Sequence, residues 1–170
     1  MMTPESDNRR ARVAGDRLAR HYRGVFETAM RDVPICNLRL DVEAIGFRSF
    51  GEAAIGIIVT PWFMNLAICG VEGCDLPKAP FSTTAQWLLP AGCIDFIVGH
   101  VEDFGRVDGC SLFSPMDDFA DHEMARATAE AVLSALLDPA PSPEPERSPS
   151  RYDRRALLFG ARQSEPEATQ

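Results

Sequence analysis

The sequence has little positive charge, and this deficit excludes one large class of partner. Its 170 residues carry 17 Lys and Arg against 25 Asp and Glu, which gives a formal net charge of −8. A protein that binds duplex nucleic acid needs a basic surface to neutralise phosphates. The charge balance therefore predicts that nucleic acid is not a partner of this chain.

Long hydrophobic runs are also missing. No stretch reaches the roughly 18 to 20 continuous apolar residues of a membrane span. The N-terminal segment, residues 1–12, is polar and lacks the apolar core of a secretory signal. We therefore expect a cytoplasmic protein without stable membrane insertion. Its five cysteines, an odd number, are then expected as reduced thiols rather than as a disulfide framework.

The common signatures of cofactor and metal sites are absent. The chain has neither GxGxxG nor GKS/T, so no phosphate-binding loop is predicted. Cys69 and Cys74 are separated by four residues, and no histidine follows them at zinc-finger spacing. We interpret Cys69, Cys93 and Cys110 as small core residues and expect Cys74 to be the most exposed thiol. No metal or cofactor is predicted.

A Cys/His nucleophilic pair is the catalytic alternative. His100 and Cys110 could form such a pair, with Asp95 or Asp103 as the residue that orients the histidine. No nucleophile signature surrounds Cys110, however, and the residue lies in a predicted strand. We therefore predict no catalytic residue. His21 and His122 are expected to be solvated on polar helix faces.

Charge and proline divide the chain into three parts. Residues 1–24 carry a net charge of +3, residues 25–137 carry −10, and residues 138–170 carry −1. We predict a disordered N-terminus over 1–15, one folded domain over 16–137 and a flexible tail over 138–170. The tail is predicted from its closely spaced prolines, which cannot donate to a sheet: Pro139, Pro141, Pro143, Pro145 and Pro149.

Hydrophobic periodicity predicts the elements of the first half of the domain. An amphipathic helix is expected from Asp16, on an apolar stripe of Leu18, Tyr22, Val25 and Ala29. Alternation over 40–44 predicts a half-buried strand, followed by a turn region over 46–51. The apolar run Ala53–Val59 is typical of a central strand, and Pro61 follows its end.

The second half predicts further strands and a long helix. A short strand is expected over 66–69 and a loop over 70–80, then a hairpin of 83–89 and 93–98 around Pro90-Ala91-Gly92, and a strand over 107–113. Ser114-Pro115 is typical of a helix start, which predicts a helix to about Leu137. Its predicted stripe is Met116, Ala120, Met124, Ala127, Ala131 and Ala135. The expected fold class is α+β: a mostly antiparallel sheet packed with an N-terminal and a long C-terminal helix, followed by the flexible tail.

Two segments combine residue types that are unusual in loops. Trp62, Phe63 and Met64 directly follow a predicted buried strand. The segment from Leu112 to Met116 likewise combines apolar, aromatic and Met residues, at the predicted start of the second helix. Aromatic and Met side chains at element ends suit a protein-binding surface, although they would equally serve as core under the sheet. The acidic run at Asp117 and Asp118 suits either the helix dipole or an arginine-rich peptide. The candidate partner-binding residues are Thr60, Pro61, Trp62, Phe63, Met64, Asn65, Leu112, Phe113, Pro115, Met116, Asp117 and Asp118.

These segments carry a family resemblance over roughly residues 20–137. The chain resembles the nickel–iron hydrogenase assembly chaperones of the HybE/HupJ type, and the segment Arg154–Gly160 is similar to the C-terminal end of HupJ-type members. Some relatives carry a rubredoxin domain, but this chain lacks the paired CxxC motifs of its iron site. The matching residues are Asn37, Leu38, Leu40, Val42, Glu43, Ala44, Gly46, Phe47, Gly56, Val59–Leu66, Leu89, Pro90, Gly92, Cys110–Met116 and Phe119.

The resemblance implies a non-catalytic accessory protein. Its expected partners are hydrogenase small or large subunit precursors, or both, and its expected role is to coordinate cofactor insertion, subunit assembly and twin-arginine export. We hypothesise that the acidic centre and exposed Trp62, Phe63 and Met64 hold a twin-arginine signal peptide. The alternative is a cysteine-based metal-binding or redox protein in iron–sulfur or nickel–iron site maturation.

Overall fold

The computed structural model describes residues 3–141 and has the predicted α+β architecture. Helix α1 spans Pro4–Val25, a π-helical segment Phe26–Met30 extends it, and helix α2 spans His122–Leu137. Between the helices lie six strands: β1 Glu43–Phe50, β2 Ala53–Val59, β3 Met64–Cys69, β4 Thr84–Leu89, β5 Gly92–Val101 and β6 Gly105–Phe113. No helix among these residues is long and apolar enough to cross a membrane. Residues 142–170, with most of the predicted tail and its segment Arg154–Gly160, lie outside the described residues.

The six strands form one antiparallel sheet in the order β1-β2-β3-β6-β5-β4. Strands β1 to β3 are a meander, and strands β4 to β6 are a second meander. The two meet where β3 pairs with β6, with Ala67 opposite Gly109 and Asn65 opposite Ser111. The centre of the sheet therefore consists of two strands that are about 40 residues apart in the sequence.

Each helix packs against a different face of the sheet. On one face, Leu66 and Ile68 join a core that includes Ala125 and Leu133 of α2. On the other face, Ala67 joins a core with residues of α1. Side chains of a strand point alternately to its two faces, which is why β2, with helices on both sides, is buried throughout.

Helix α1 begins twelve residues earlier than predicted, so the predicted disorder of residues 1–15 is wrong from Pro4 onwards. Thr3 caps the helix by accepting a hydrogen bond from the Ser6 N–H, and Pro4 occupies the first turn. Its buried face consists mainly of small residues, which hydrophobic periodicity underweights: Ala11, Ala14, Gly15, Leu18 and Ala19.

Strand β1 also departs from its prediction. The turn region predicted over 46–51 belongs to the strand as far as Phe50, and the strand begins at Glu43 rather than at Leu40. An irregularity in the pairing lies between Ile45 and Arg48, and Gly46 there has a φ of +63°. Glycine adopts this conformation without steric cost. The glycine thus marks a bulge within a strand and not its end.

The predictions for β2 and for the β4–β5 hairpin are confirmed. Strand β2 has the predicted bounds, Ala53–Val59. Strands β4 and β5 pair with Leu89 opposite Gly92, so the turn lies at the predicted Pro90-Ala91. The strands predicted over 66–69 and 107–113 are also present, and each begins two residues earlier than predicted.

The predicted start of the second helix at Ser114 is wrong. The helix begins at His122, and Asp121 caps it by accepting from the Met124 N–H at 2.8 Å. Residues 114–121 form turns instead, because the Asn37 side chain binds the carbonyl groups of Met116 and Phe119 at 3.0 and 2.9 Å. The predicted stripe is displaced with it, and the buried residues of α2 are Ala125, Ala129 and Leu133.

The side chain of Phe47 packs between α1 and the sheet. Its ring lies between two glycines: an added Cβ on Gly15 of α1 would approach the ring to 2.5 Å, and one on Gly56 of β2 would overlap it. Glycine at both positions lets helix and sheet approach closely around the ring. Gly109, by contrast, lies in a strand with nothing within 4 Å of an added Cβ.

Replacing Gly56 by Ala is expected to destabilise the protein by about 1 to 3 kcal/mol, because the added methyl group would displace the Phe47 ring from its position between Gly15 and Gly56. Urea unfolding measures this. Gly109→Ala is the matched control in the same sheet, and its stability should stay equal or rise by about 0.5 to 1 kcal/mol. Equal stabilities of the two variants would contradict the close packing of Phe47 against Gly56.

Glu43 ties the start of β1 to the start of α2. Its Oε2 accepts from His122 Nε2 at 2.6 Å and from Arg126 at 3.0 Å, while His122 Nδ1 accepts from the Asp41 N–H. His122 is thus largely buried and not solvated as predicted. Burial raises the pKa of Glu43, but the hydrogen bonds from His122 and Arg126 outweigh burial and hold the pKa below its ordinary value.

A lowered pKa means that ionised Glu43 stabilises the fold above the ordinary glutamate pKa of about 4.3, and that this contribution is lost as the pH falls further. The stability difference between wild type and Glu43→Gln should therefore be largest near neutral pH and shrink towards pH ~3. Urea unfolding across this range measures it. Glu52→Gln, in the exposed β1–β2 turn, is the control, and a difference for Glu43→Gln that is independent of pH would refute the role of the charge.

Candidate functional site

The two segments singled out in the sequence lie side by side. Pairing of β3 with β6 sets Met64 opposite Phe113. Just beyond this pair, the Ser114 hydroxyl lies 3.4 Å from the Trp62 carbonyl oxygen, to which it donates. The candidate residues 60–65 and 112–118 therefore form one continuous region at the end of the central strand pair.

Part of this region is structural. Thr60 is fully buried, and its Oγ1 accepts from the N–H groups of Trp62 and Phe63 at 3.2 and 2.9 Å. These bonds close a tight turn directly after β2. Met64, which was predicted to be exposed, has 0% exposure, because strand alternation directs it into the core against α2. The buried candidates are Thr60, Pro61, Met64 and Met116.

The turn presents two aromatic side chains that remain half-exposed. Trp62 stacks on Phe26 with ring centroids 6.2 Å apart, and Phe63 contacts Tyr22 edge-on at 5.2 Å. Trp62 and Phe63 also contact each other edge-on at 5.5 Å. Contacts of this geometry hold the rings in place, and both side chains are partly buried. We call Trp62 and Phe63 with Tyr22 and Phe26 the aromatic ledge.

The second segment continues the ledge with an apolar and then an acidic surface. Phe113 is 36% exposed and packs edge-on against Phe119 at 5.1 Å. Leu112 is half-buried, whereas Pro115, Asp117 and Asp118 are exposed. Residues 26–141 hold 17 acidic and six basic residues, so these carboxylates lie in a strongly acidic part of the chain.

A groove opens beside the ledge on the face of the sheet that carries α1. The helix lies over β1 and β2, and the neighbouring strands form the floor of a cavity of about 350 Å³. Its walls are apolar, and its floor is built of small residues. The residues that line it include Leu18, Tyr22, Phe63, Asn65, Ala67, Phe81, Ile97, Gly99, Gly109 and Ser111.

Sequence reasoning missed most of this groove. Ile97 is 52% exposed, Phe81 is 75% exposed, and Leu88 of the edge strand is 76% exposed. Leu88 and Ile97 project from the same side of the sheet, because Thr84 is the partner of Ile97 and Leu88 lies four residues along. The sequence of β5 does contain an indication of the groove. Its alternation places apolar residues on both faces of the strand, which is typical of a strand that contacts protein on both faces.

A buried ion pair on the face of β6 opposite to Gly109 holds the loop that leads to Phe81. Asp108 is fully buried and accepts from Arg106 at 2.6 and 2.7 Å and from Trp87 Nε1 at 2.8 Å. Arg106 also donates to the Pro77 carbonyl. Hydrogen bonds to Asp108 raise the pKa of Arg106. The loop that leads to Phe81 is thereby tied to the sheet.

The cysteines do not converge on a site. Cys69 packs on the α1 face and Cys110 on the α2 face, and among residues 3–141 no three His, Cys, Asp or Glu residues are grouped to hold a metal. Burial raises the pKa of Cys69 to about 12 and also raises that of Cys110. Cys69 is buried as predicted, but Cys93 is exposed and Cys74 is half-buried. The predictions of Cys93 as a core residue and of Cys74 as the most exposed thiol are therefore wrong.

The Cys/His pair considered in the sequence does not form. His100 lies opposite Arg106, four residues from Cys110 along β6, a separation of about 13 Å along a strand. This is too far for a hydrogen bond between the imidazole and the thiol. The geometry thus assigns no nucleophile to these residues.

A family profile and individual similar proteins point to the same family. The sequence profile of the family described as NiFe-hydrogenase assembly, chaperone, HybE matches residues 13–160. The hydrogenase expression/formation protein HupJ of Bradyrhizobium diazoefficiens is 47% identical over 150 residues, 86% of this chain and 87% of that protein. The protein HoxT of Cupriavidus necator is 39% identical over 85% of this chain and 87% of its own length.

A solved structure shares the fold. The solution structure of HybE from Escherichia coli superposes with a TM-score of 0.59 at 24% identity, over 89% of this chain and 91% of that one. At this level of identity the likeness concerns the fold, whereas the profile and the closely similar sequences concern the family. The chain belongs to the HybE family of nickel–iron hydrogenase assembly chaperones.

Proposed function

We propose that this chaperone binds the precursor of the hydrogenase small subunit, the large subunit or both, at the aromatic ledge and the acidic segment beside it. It acts in the cytoplasm and holds the precursor while cofactors are inserted, subunits pair and twin-arginine export is prepared. The observation that carries the proposal is the ledge itself, where Trp62 and Phe63 stay half-exposed on a hydrogen-bonded turn.

The ledge has the physical properties of a protein-binding anchor. Aromatic side chains dominate the energetics of protein interfaces when they are held in place. Here the Thr60 hydroxyl fixes the turn and the Phe26 ring fixes Trp62, so little conformational entropy is lost when a partner covers them. This rigidity supports a role in recognition in addition to packing.

The charges beside the ledge support an arginine-bearing partner. Asp117 and Asp118 are exposed next to Phe113 and Pro115, so apolar and acidic groups adjoin. A twin-arginine signal peptide has the complementary order of two arginines followed by an apolar stretch. Carboxylates that pair with its arginines would steer its approach, and the aromatic groups would cover its apolar part.

Isothermal titration with a synthetic signal peptide of the small-subunit precursor tests the proposal. Binding is expected, and a peptide with both arginines replaced by glutamine should bind at least about tenfold more weakly, because two ion pairs are lost. The mature small subunit and the large-subunit precursor are the parallel probes. Equal binding of both peptides would exclude recognition of the arginines, and no binding of any probe would overturn the proposed function.

Replacing both Asp117 and Asp118 by Asn should weaken binding of the wild-type peptide and flatten its salt dependence, since ionic screening acts on those charges. Thermal stability should stay unchanged because both residues are exposed. Glu52→Gln, in the exposed turn between β1 and β2, is the control that removes a carboxylate elsewhere. A double variant that binds with unaltered affinity and salt dependence would remove these residues from the interface.

A further inference from the structure

The groove beside α1 lies on a part of the sheet face that no described helix covers. A sheet face with apolar residues is normally buried by packed elements, and on this face α1 packs mainly against β1 and β2. It reaches the other strands at Ala67 and Cys69 of β3, Val101 of β5 and Val107 of β6. Beyond these contacts, the neighbouring strands β3, β6 and β5 line the groove at Asn65, Gly109 and Ile97. Two strand spacings of about 4.8 Å make a floor about 10 Å wide, which is the width of one α-helix.

No contact among residues 3–141 explains the glycine at position 109, in the middle of this floor. Glycine within a strand costs about 0.5 to 1 kcal/mol relative to alanine. Its φ is not in the left-handed region, and an added Cβ would meet nothing within 4 Å. Gly99 differs, because a Cβ there would lie 2.9 Å from the Val107 carbonyl oxygen. The missing side chain of Gly109 keeps the floor open rather than easing internal packing.

A second residue of the floor has an unused polar group. The Oδ1 atom of Asn65 is buried and has no hydrogen-bond partner in the described part of the chain. Buried acceptors are almost always paired, and an unpaired one costs about 1 to 3 kcal/mol. Asn65 lies across from Ser111 and two residues from Ala67, on the same face of β3, so this acceptor lies at the floor of the same groove.

We propose that this groove is the docking site for one apolar helix of a hydrogenase subunit, which lies beside α1 over Gly109 and donates one hydrogen bond to Asn65 Oδ1. The inference rests on the proposed function and specifies how the partner is held. A helix satisfies its own backbone groups, so it can cover the apolar walls at Phe63 and Ile97 without burying unpaired N–H groups.

The charge of the sheet region favours a helix with basic ends. Residues 43–113 hold eight acidic and three basic residues, and Arg106 is paired with Asp108. Asp95 lies on the same side of β5 as Ile97, two residues away, and is exposed. Basic residues that flank the apolar face of the helix would complement these carboxylates.

Gly109→Val tests the inference, because it fills the groove from the floor with a residue that favours strands. Stability should stay equal or rise, while the affinity for the purified small-subunit or large-subunit precursor, whichever the wild type binds, should fall about 10- to 100-fold. Gly24→Leu is the matched control, since its Cβ also meets nothing within 4 Å and it does not line the groove. Unchanged affinity of Gly109→Val would overturn the inference and leave the proposed function standing.

Two further measurements keep the test independent of one variant. Asn65→Ala should weaken binding about three- to tenfold through the lost hydrogen bond, and an unchanged or higher affinity would refute that bond. A photo-cross-linking amino acid at position 97 should join to a helix of the bound precursor. Cross-links to a second copy of this chain, to an extended segment or to no protein would overturn the docking of a helix. If the wild type binds neither precursor, both the proposed function and this inference are wrong.

Discussion

The pairing of β3 with β6 is the contact on which the rest of the molecule depends. It joins two meanders that are separate in sequence, and it places Met64 opposite Phe113. The two segments with aromatic and Met residues become neighbours only through this ladder. The same ladder sets Ala67 beside Gly109, so it builds both the ledge and the floor of the groove. A chaperone with no convergent catalytic groups among its described residues still needs a shaped surface, and this strand pair supplies it.

The two faces of the sheet are used differently. The face that carries α2 is a continuous core to which Phe96, Met116 and Phe119 contribute. The opposite face is packed where Phe47 lies between Gly15 and Gly56, and a groove opens in it at Ile97 and Gly109. One glycine pair thus serves close packing, whereas Gly109 serves no contact with the other described residues. This difference separates residues that hold the fold from the residue that we propose to face a partner.

The sequence predicted those features that depend on local pattern. The bounds of β2 follow from an uninterrupted apolar run, and the β4–β5 turn follows from Pro90-Ala91-Gly92. The start of α2 could not be predicted from Ser114-Pro115, because it depends on Asn37, about 80 residues away, which binds the Met116 and Phe119 carbonyl groups. Residues 60–65 were identified as a special segment, yet their division into the buried Met64 and the half-exposed Trp62 depends on the register of β3. The groove was missed because Gly109, Asn65 and Phe81 meet only in three dimensions.

Hydrogen–deuterium exchange of the full chain, with and without a purified hydrogenase subunit precursor, tests most directly whether the ledge and the open half of the sheet receive the client. The account predicts slower exchange over residues 60–65, 92–101 and 105–113 in the complex, with no change at the β1–β2 turn around Glu52. Protection confined to the solvent-facing side of α2 or to the β1–β2 turn, with unchanged exchange in β5 and β6, would contradict it.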